Sequence, residues 1–288
     1  MSWQIYLLIN LGAGAVREFY YKKIADRVDP LVTNFYFSLF MGLMLLFAHF
    51  VKYGFWPEIN FRFAATGLLF IIAFVSYLSA VKFSLTQSIL FQSYSILVTI
   101  ILTALFLGEG KYLDISKTIG QKAVGGGLLA LVSIWFLLHP DKRREEKLEK
   151  KWFFYILMTI LFFGIGAFLT LFFIQESNSL TVLTNQTLLM SPVLFLINIL
   201  TRRKVILDSH LTKMILFATI AATIAVVFFY QALEYVPATN LLPLQQVSLV
   251  IITMFTGIIF FKEVRFFSGK RLLGMILGLM GILLLVTS

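Results

Sequence analysis

Ten apolar runs alternate with short polar stretches along the chain, at about 3–21, 31–51, 62–81, 86–107, 118–138, 152–174, 181–200, 213–233, 238–260 and 271–287. Each approaches the roughly 20 residues an α-helix needs to cross a hydrocarbon core about 30 Å thick. Several are too continuous for the alternating strands of an outer-membrane barrel. The pattern therefore predicts ten transmembrane helices, neighbours mostly antiparallel. One connector, Asp141 to Lys151, is strongly charged and divides the chain into five spans and five spans. The expected units are 1–138, a connector at 139–151, and 152–288.

The two halves echo each other. Glu109 and Glu263, Gly120 and Gly274, and Gly127 and Gly281 are each 154 residues apart. Thr33-Asn34 returns as Thr184-Asn185 after 151 residues, and Gly12-Ala13-Gly14 as Gly164-Ile165-Gly166 after 152. Because five is odd, the second half is expected to lie inverted relative to the first. Inverted repeats recur in carriers that alternate their access.

Composition agrees with a membrane class. Apolar residues make up 59% of the 288 and charged residues 13%, where soluble domains carry about 25% charge. A disordered chain would be polar and charged. The net charge of +10 comes from Lys and Arg clustered between apolar runs, not from a basic domain or arm, so no nucleic-acid partner is expected. Cysteine is absent, which removes disulfides and thiolate chemistry. The first run lacks a basic n-region and a small-residue cleavage site, so it is expected to be retained as a span.

Both halves resemble the EamA family of the drug/metabolite transporter superfamily. The resemblance rests on Leu107-Gly108-Glu109 with Gly120 and Gly127, on Phe261-Lys262-Glu263 with Gly274 and Gly281, and on the run Tyr230-Gln231-Ala232-Leu233-Glu234-Tyr235. It implies a ten-span carrier with a central cavity between inverted halves, moving amino acids or other small metabolites across a cell (plasma or inner) membrane. The resemblance implies both termini in the cytoplasm, the usual orientation of family members. Here connectors after odd-numbered spans, counted with the first few residues of the span that follows, hold 18 Lys/Arg and those after even-numbered spans hold 5. The positive-inside rule then places both termini outside the cytoplasm.

Candidate cavity residues come from polar positions inside the spans. Ser88, Gln92, Ser95, Thr99 and Thr103 share one helical face of span four, and Gln245, Ser248 and Thr256 repeat three of them after 153 residues. Gln246 lies alongside, whereas Ile252 replaces the counterpart of Thr99. These side chains either hydrogen-bond a substrate or close helix seams. Tyr77, Tyr94 and Tyr230 either face a solute or satisfy their own hydroxyls internally, and Asn10, Asn185 and Gln186 are further polar candidates. Arg17 and Glu18 are adjacent charges in span one, where an ionised group costs about 2.5–3.5 kcal/mol at mid-membrane. Their roughly 100° separation suggests that they do not neutralise each other. They either snorkel and find partners on other helices, or Glu18 couples transport to a proton or other cation.

Other features have plainer expectations. Glu109 and Glu263 are expected to cap or pair at the interface, and Lys82 and Glu234 to be loop charges or a gate pair. Trp3, Trp56 and Trp152 sit where interfacial anchors belong. Gly125-Gly126-Gly127 and Gly274 with Gly278 permit close helix packing, inside the chain or in a homodimer. Pro192 and Pro243 are candidate kinks. No HExxH, GxSxG, P-loop or dinucleotide fingerprint is present, and His49, His139 and His210 are scattered, so no enzyme, metal site or cofactor is expected.

The reading is an all-α secondary carrier, monomer or homodimer, for a small neutral, zwitterionic or cationic metabolite. The alternatives are a flippase for a lipid-linked intermediate, or a scaffold or sensor that does not transport. The orientation has a direct check. A single cysteine introduced at 141–151 is expected to resist an impermeant thiol reagent in intact cells, and rapid labelling would reverse the topology.

Overall fold

The computed structural model describes residues 3–107, 115–137, 146–233, 235, 238–262 and 269–287. Among them there is no strand. The helices are α1 (Trp3–Ala25), α2 (Pro30–Tyr53), α3 (Phe61–Val81), α4 (Leu85–Gln92), α5 (Ser95–Phe106), α6 (Thr118–Leu137), α7 (Glu146–Ile174), α8 (Ser179–Leu200), α9 (Ser209–Leu233), α10 (Ala238–Phe261) and α11 (Gly269–Val286). In a bilayer a helix satisfies its backbone internally, which is why apolar runs of this length take that form. Local chemistry sets several starts. Asp29, Asn60, Ser84 and Asn178 accept backbone N–H groups at the beginnings of α2, α3, α4 and α8. Gly54, at φ 77°, ends α2 in the left-handed conformation that glycine adopts without steric cost.

Six described apolar stretches are long enough to cross a membrane: α2, α3, α4 with α5, α7 from Lys150, α8 and α9. Helix α1 matches them in length but carries Asn10, Arg17 and Glu18. Two boundaries differ from the sequence reading. Span four breaks at Ser93-Tyr94 into α4 and α5, with no proline at the break. Helix α8 continues through Pro192, and α10 runs on past position 243. The last residues of the charged connector belong to α7, which starts at Glu146.

Counting α4 and α5 as one span, the extensive contacts come in related pairs. Helix α1 packs on α9 and α3 on α7; α3 packs on α8 and α2 on α9; α5 packs on α7 and α1 on α10. The contacts α2 with α8, α6 with α11 and α4 with α10 map onto themselves when each span is exchanged with the one five further on. Register agrees. Asn10 meets Ala225, and Phe74 meets Phe163, so residue numbers across the two antiparallel pairs sum to nearly the same value. Helix α1 runs alongside α3 in the same direction, since Glu18 meets Tyr77 and Lys22 meets Val81. Because α3 and α7 are antiparallel, with Phe63 on Phe173 and Phe74 on Phe163, α1 and α7 point in opposite directions.

Small residues let these helices approach. A Cβ on Gly67 would overlap the Gln186 backbone carbonyl. On Gly164 it would overlap Val98 and lie 2.7 Å from the Ser95 carbonyl oxygen. A Cβ on Gly166 would lie 2.9 Å from the nearest carbon of the Phe70 ring, and one on Gly278 would overlap the Tyr94 hydroxyl. Gly125 and Gly127 have nothing within 4 Å of an added Cβ among the described residues, so no close internal contact requires glycine at these two positions.

Gly164→Ala is expected to cost about 1–3 kcal/mol, because backbone as well as side chain would have to move. Gly127→Ala is expected to leave the melting temperature of the detergent-purified protein unchanged or slightly raised. Equal behaviour of the two variants would remove the close α5–α7 contact.

Candidate functional site

The most charged interior position is on α1. Glu18 is fully buried, seven residues before the helix end and so about 10 Å along the axis from it. Its Oε1 accepts from Arg17 Nε at 2.9 Å and from an Arg17 terminal nitrogen at 2.6 Å. Its Oε2 accepts from the Tyr77 hydroxyl of α3. Adjacent residues do neutralise each other here, contrary to the expectation from their angular separation. The guanidinium is long enough to fold back over its neighbour's carboxylate, with its side chain 17% exposed against 1% for Glu18.

Tyr21, one turn further along α1, completes the cluster. Its ring lies 5.8 Å from the Arg17 guanidinium carbon and edge-on to Tyr77. Its buried hydroxyl has no hydrogen-bond partner among the described residues. The sequence reading missed Tyr21, although its spacing of four from Arg17 and three from Glu18 puts it on their face. It also missed Lys22, whose Nζ donates to the carbonyls of Val81 and Lys82 at 2.9 Å each and so fastens α1 to the end of α3.

The polar stripe of span four divides into two kinds of residue. Thr99 and Thr103 donate to carbonyls one turn back, and Thr99 also reaches the Gly164 carbonyl at 3.1 Å. Thr256 donates to the Ile252 carbonyl in the same way. Gln92 is different. It ends α4 at the break, half-buried, with a buried Oε1 that has no partner among the described residues. Gln245, Gln246 and Ser248 of α10 are half-buried as well, and α10 packs on α4. Ser95 and Tyr230 are also half-buried.

Other candidates are committed to holding helices together. The Tyr94 hydroxyl donates to Ser133 Oγ at 3.1 Å, which donates to the Gly274 carbonyl at 2.7 Å, joining the span-four break to α6 and α11. Asn185 accepts from the Asn60 N–H and donates to the Glu58 carbonyl, both at the entry to α3. Gln186 donates to Thr170 Oγ1 at 2.9 Å. Asn10 donates to the Ala225 carbonyl at 2.8 Å and keeps a buried, unpartnered Oδ1.

Trp152 is no interfacial anchor. It is buried, and its indole N–H donates to Ser88 Oγ at 3.2 Å. His49 is also buried, with Nδ1 3.0 Å from the Phe55 carbonyl and Nε2 2.9 Å from Thr181 Oγ1. Glu109, Glu234, Glu263 and His139 lie outside the described residues. Among those described, no three His, Cys, Asp or Glu side chains are placed to hold a metal ion.

Long apolar helices packed around a buried ion pair mark a multi-pass membrane protein. Residues 150–287 match the model of the EamA-like transporter family. The second half of the chain is therefore similar to EamA-like transporters, which are of the drug/metabolite transporter type. No curated protein matches the chain.

Removing one member of a buried pair leaves the other uncompensated, at about 3–5 kcal/mol. Glu18→Ala and Arg17→Ala are each expected to be destabilising on this scale, and Arg17→Met combined with Glu18→Met clearly less so than their sum. A double-mutant cycle on thermal or denaturant unfolding reads the coupling, and strict additivity would show that the two groups act independently.

Proposed function

We propose that the protein is a secondary carrier of a small neutral, zwitterionic or cationic metabolite, working in a cell membrane by rocking two inverted five-span halves about a central cavity. The observation that carries this reading is Glu18. A carboxylate buried in a span and held by donors from two helices is costly in a purely architectural role, and ionisable groups in such places characteristically mark ion or substrate pathways. The exchange relation among helix contacts and the opposed directions of α1 and α7 support the two-half arrangement.

In this mechanism Gln92 and Gln245, with Gln246, Ser248, Ser95 and Tyr230, supply hydrogen bonds to the solute. Gln92 keeps an unpartnered Oε1 among the described residues and the others are half-buried, whereas the threonines are already satisfied within their own helices. A proton or a cationic group arriving at Glu18 competes with Tyr77 and Arg17 for its oxygens. That competition loosens α1 from α3 and biases the halves toward the other access state. Coupling follows because the same carboxylate cannot hold both sets of donors. Connectors after odd-numbered spans face the cytoplasm, as the distribution of Lys and Arg supports.

Purified protein screened by thermal shift against amino acids, amines, nucleosides and sugars is expected to give a stabilising ligand. At about 100 times its dissociation constant the ligand contributes roughly 2.7 kcal/mol. The shift is expected to vanish in Gln92→Leu combined with Gln245→Leu. In liposomes, Glu18→Gln is expected to keep solute exchange and lose accumulation driven by an ion gradient. Full accumulation in that variant would remove Glu18 from coupling.

A further inference from the structure

We infer that the groove between α1 and α9 at the basic end of the molecule is a binding site for the phosphate headgroup of an anionic phospholipid. The groove has a volume of about 620 Å³ and lies where the last turn of α1 meets the first turns of α9. Its charged rim is Lys23, Arg27 and Lys213, with His210 beside them and Asp26 as the one acidic group. All five are exposed. Asp26 leans toward Lys22 at 3.8 Å, and none of the three rim cations pairs with a described carboxylate. Lys23 instead rests over the Phe19 ring, 4.2 Å from its centroid. Three cations with no carboxylate partner among the described residues, around one cleft, are complementary to a phosphate diester.

The apolar wall decides between a lipid and a soluble phosphate. Tyr20 stacks on Phe217 across the α1–α9 seam, at 6.3 Å and 19°. Phe217, one turn beyond Lys213, is 56% exposed, and Phe260 of α10, edge-on to Phe19, is 63% exposed. Lys213 is four residues into a membrane-crossing helix. Exposed aromatics one turn deeper than the cations therefore lie at the depth of the first acyl carbons. A soluble anion would use the rim and leave these rings uncovered, whereas a phospholipid fills both parts. Basic pockets between spans are a recurrent headgroup site. Seated there, the lipid ties α1, which carries Glu18, to α9.

The test is equilibrium binding to the detergent-solubilised full chain, followed by native mass spectrometry. Phosphatidylglycerol is the probe, phosphatidylcholine the neutral comparison and inorganic phosphate the soluble competitor. Each rim cation is expected to contribute about fivefold, so phosphatidylglycerol should bind on the order of a hundredfold tighter than phosphatidylcholine. Lys213→Gln should lose about fivefold of that preference, and the triple variant Lys23→Gln, Arg27→Gln, Lys213→Gln nearly all of it. Lys52→Gln and Arg62→Gln, on exposed cations in the last turn of α2 and the first turn of α3, should lose none. Equal binding of the two lipids would overturn the proposal. So would an undiminished preference in the triple variant, or displacement of the lipid by millimolar inorganic phosphate. Because the substituted side chains are exposed, the variants are expected to keep the parent's melting temperature in detergent. The single Lys213→Gln variant decides the matter if the triple one does not fold.

Discussion

Glu18 cannot reach water, and the packing around α1 follows from what that requires. A buried carboxylate without donors would be prohibitive in a low-dielectric interior, so Arg17 folds over one oxygen and Tyr77 approaches the other. Tyr77 can do so only if α3 lies alongside α1 in the same direction, and Lys22 fastens that arrangement at the helix end. The opposite side of α1 is then left for α9 and α10, where Asn10 reaches the Ala225 carbonyl and Gly14 admits Leu249. One charged residue thus constrains four helices.

The remaining contacts show how a bilayer protein holds itself together without a hydrophobic driving force between helices. Close backbone approach at Gly67, Gly164, Gly166 and Gly278 supplies dispersion, and single hydrogen bonds lock the seams. Ser133 to Gly274 locks α6 against α11, and Gln186 to Thr170 locks α8 against α7. Most threonines spend their hydroxyls on their own helix. Half-buried glutamines at the span-four break and on α10 depart from that economy, and for this reason they, and not the hydroxyl stripe as a whole, carry the substrate reading.

The break at Ser93-Tyr94 illustrates the limit of periodicity. The stripe of span four reads as one continuous helical face, and no proline or glycine interrupts it. Tyr94 is nevertheless drawn to Ser133, into the space left by Gly278, and the helix yields there. Pro192 gives the converse case: a residue known for breaking helices sits inside α8 without ending it. In a bundle of packed spans, tertiary hydrogen bonds and close approaches outweigh such local signals.

The sequence by itself determined the class, because no soluble fold could hide so much apolar surface. It also placed most helix limits to within a few residues, the start of α7 and the break in span four excepted, because span length is set by bilayer thickness. The spacing of echoed glycines and the paired glutamines were legible because they are linear features. Which polar groups meet was not. The closing of Arg17 on Glu18, the approach of Tyr77, the withdrawal of Trp152 to Ser88 and the convergence of Lys23, Arg27 and Lys213 join residues from distant turns or different helices. Side-chain reach and helix packing decide such meetings, and neither is written in the order of residues along one chain.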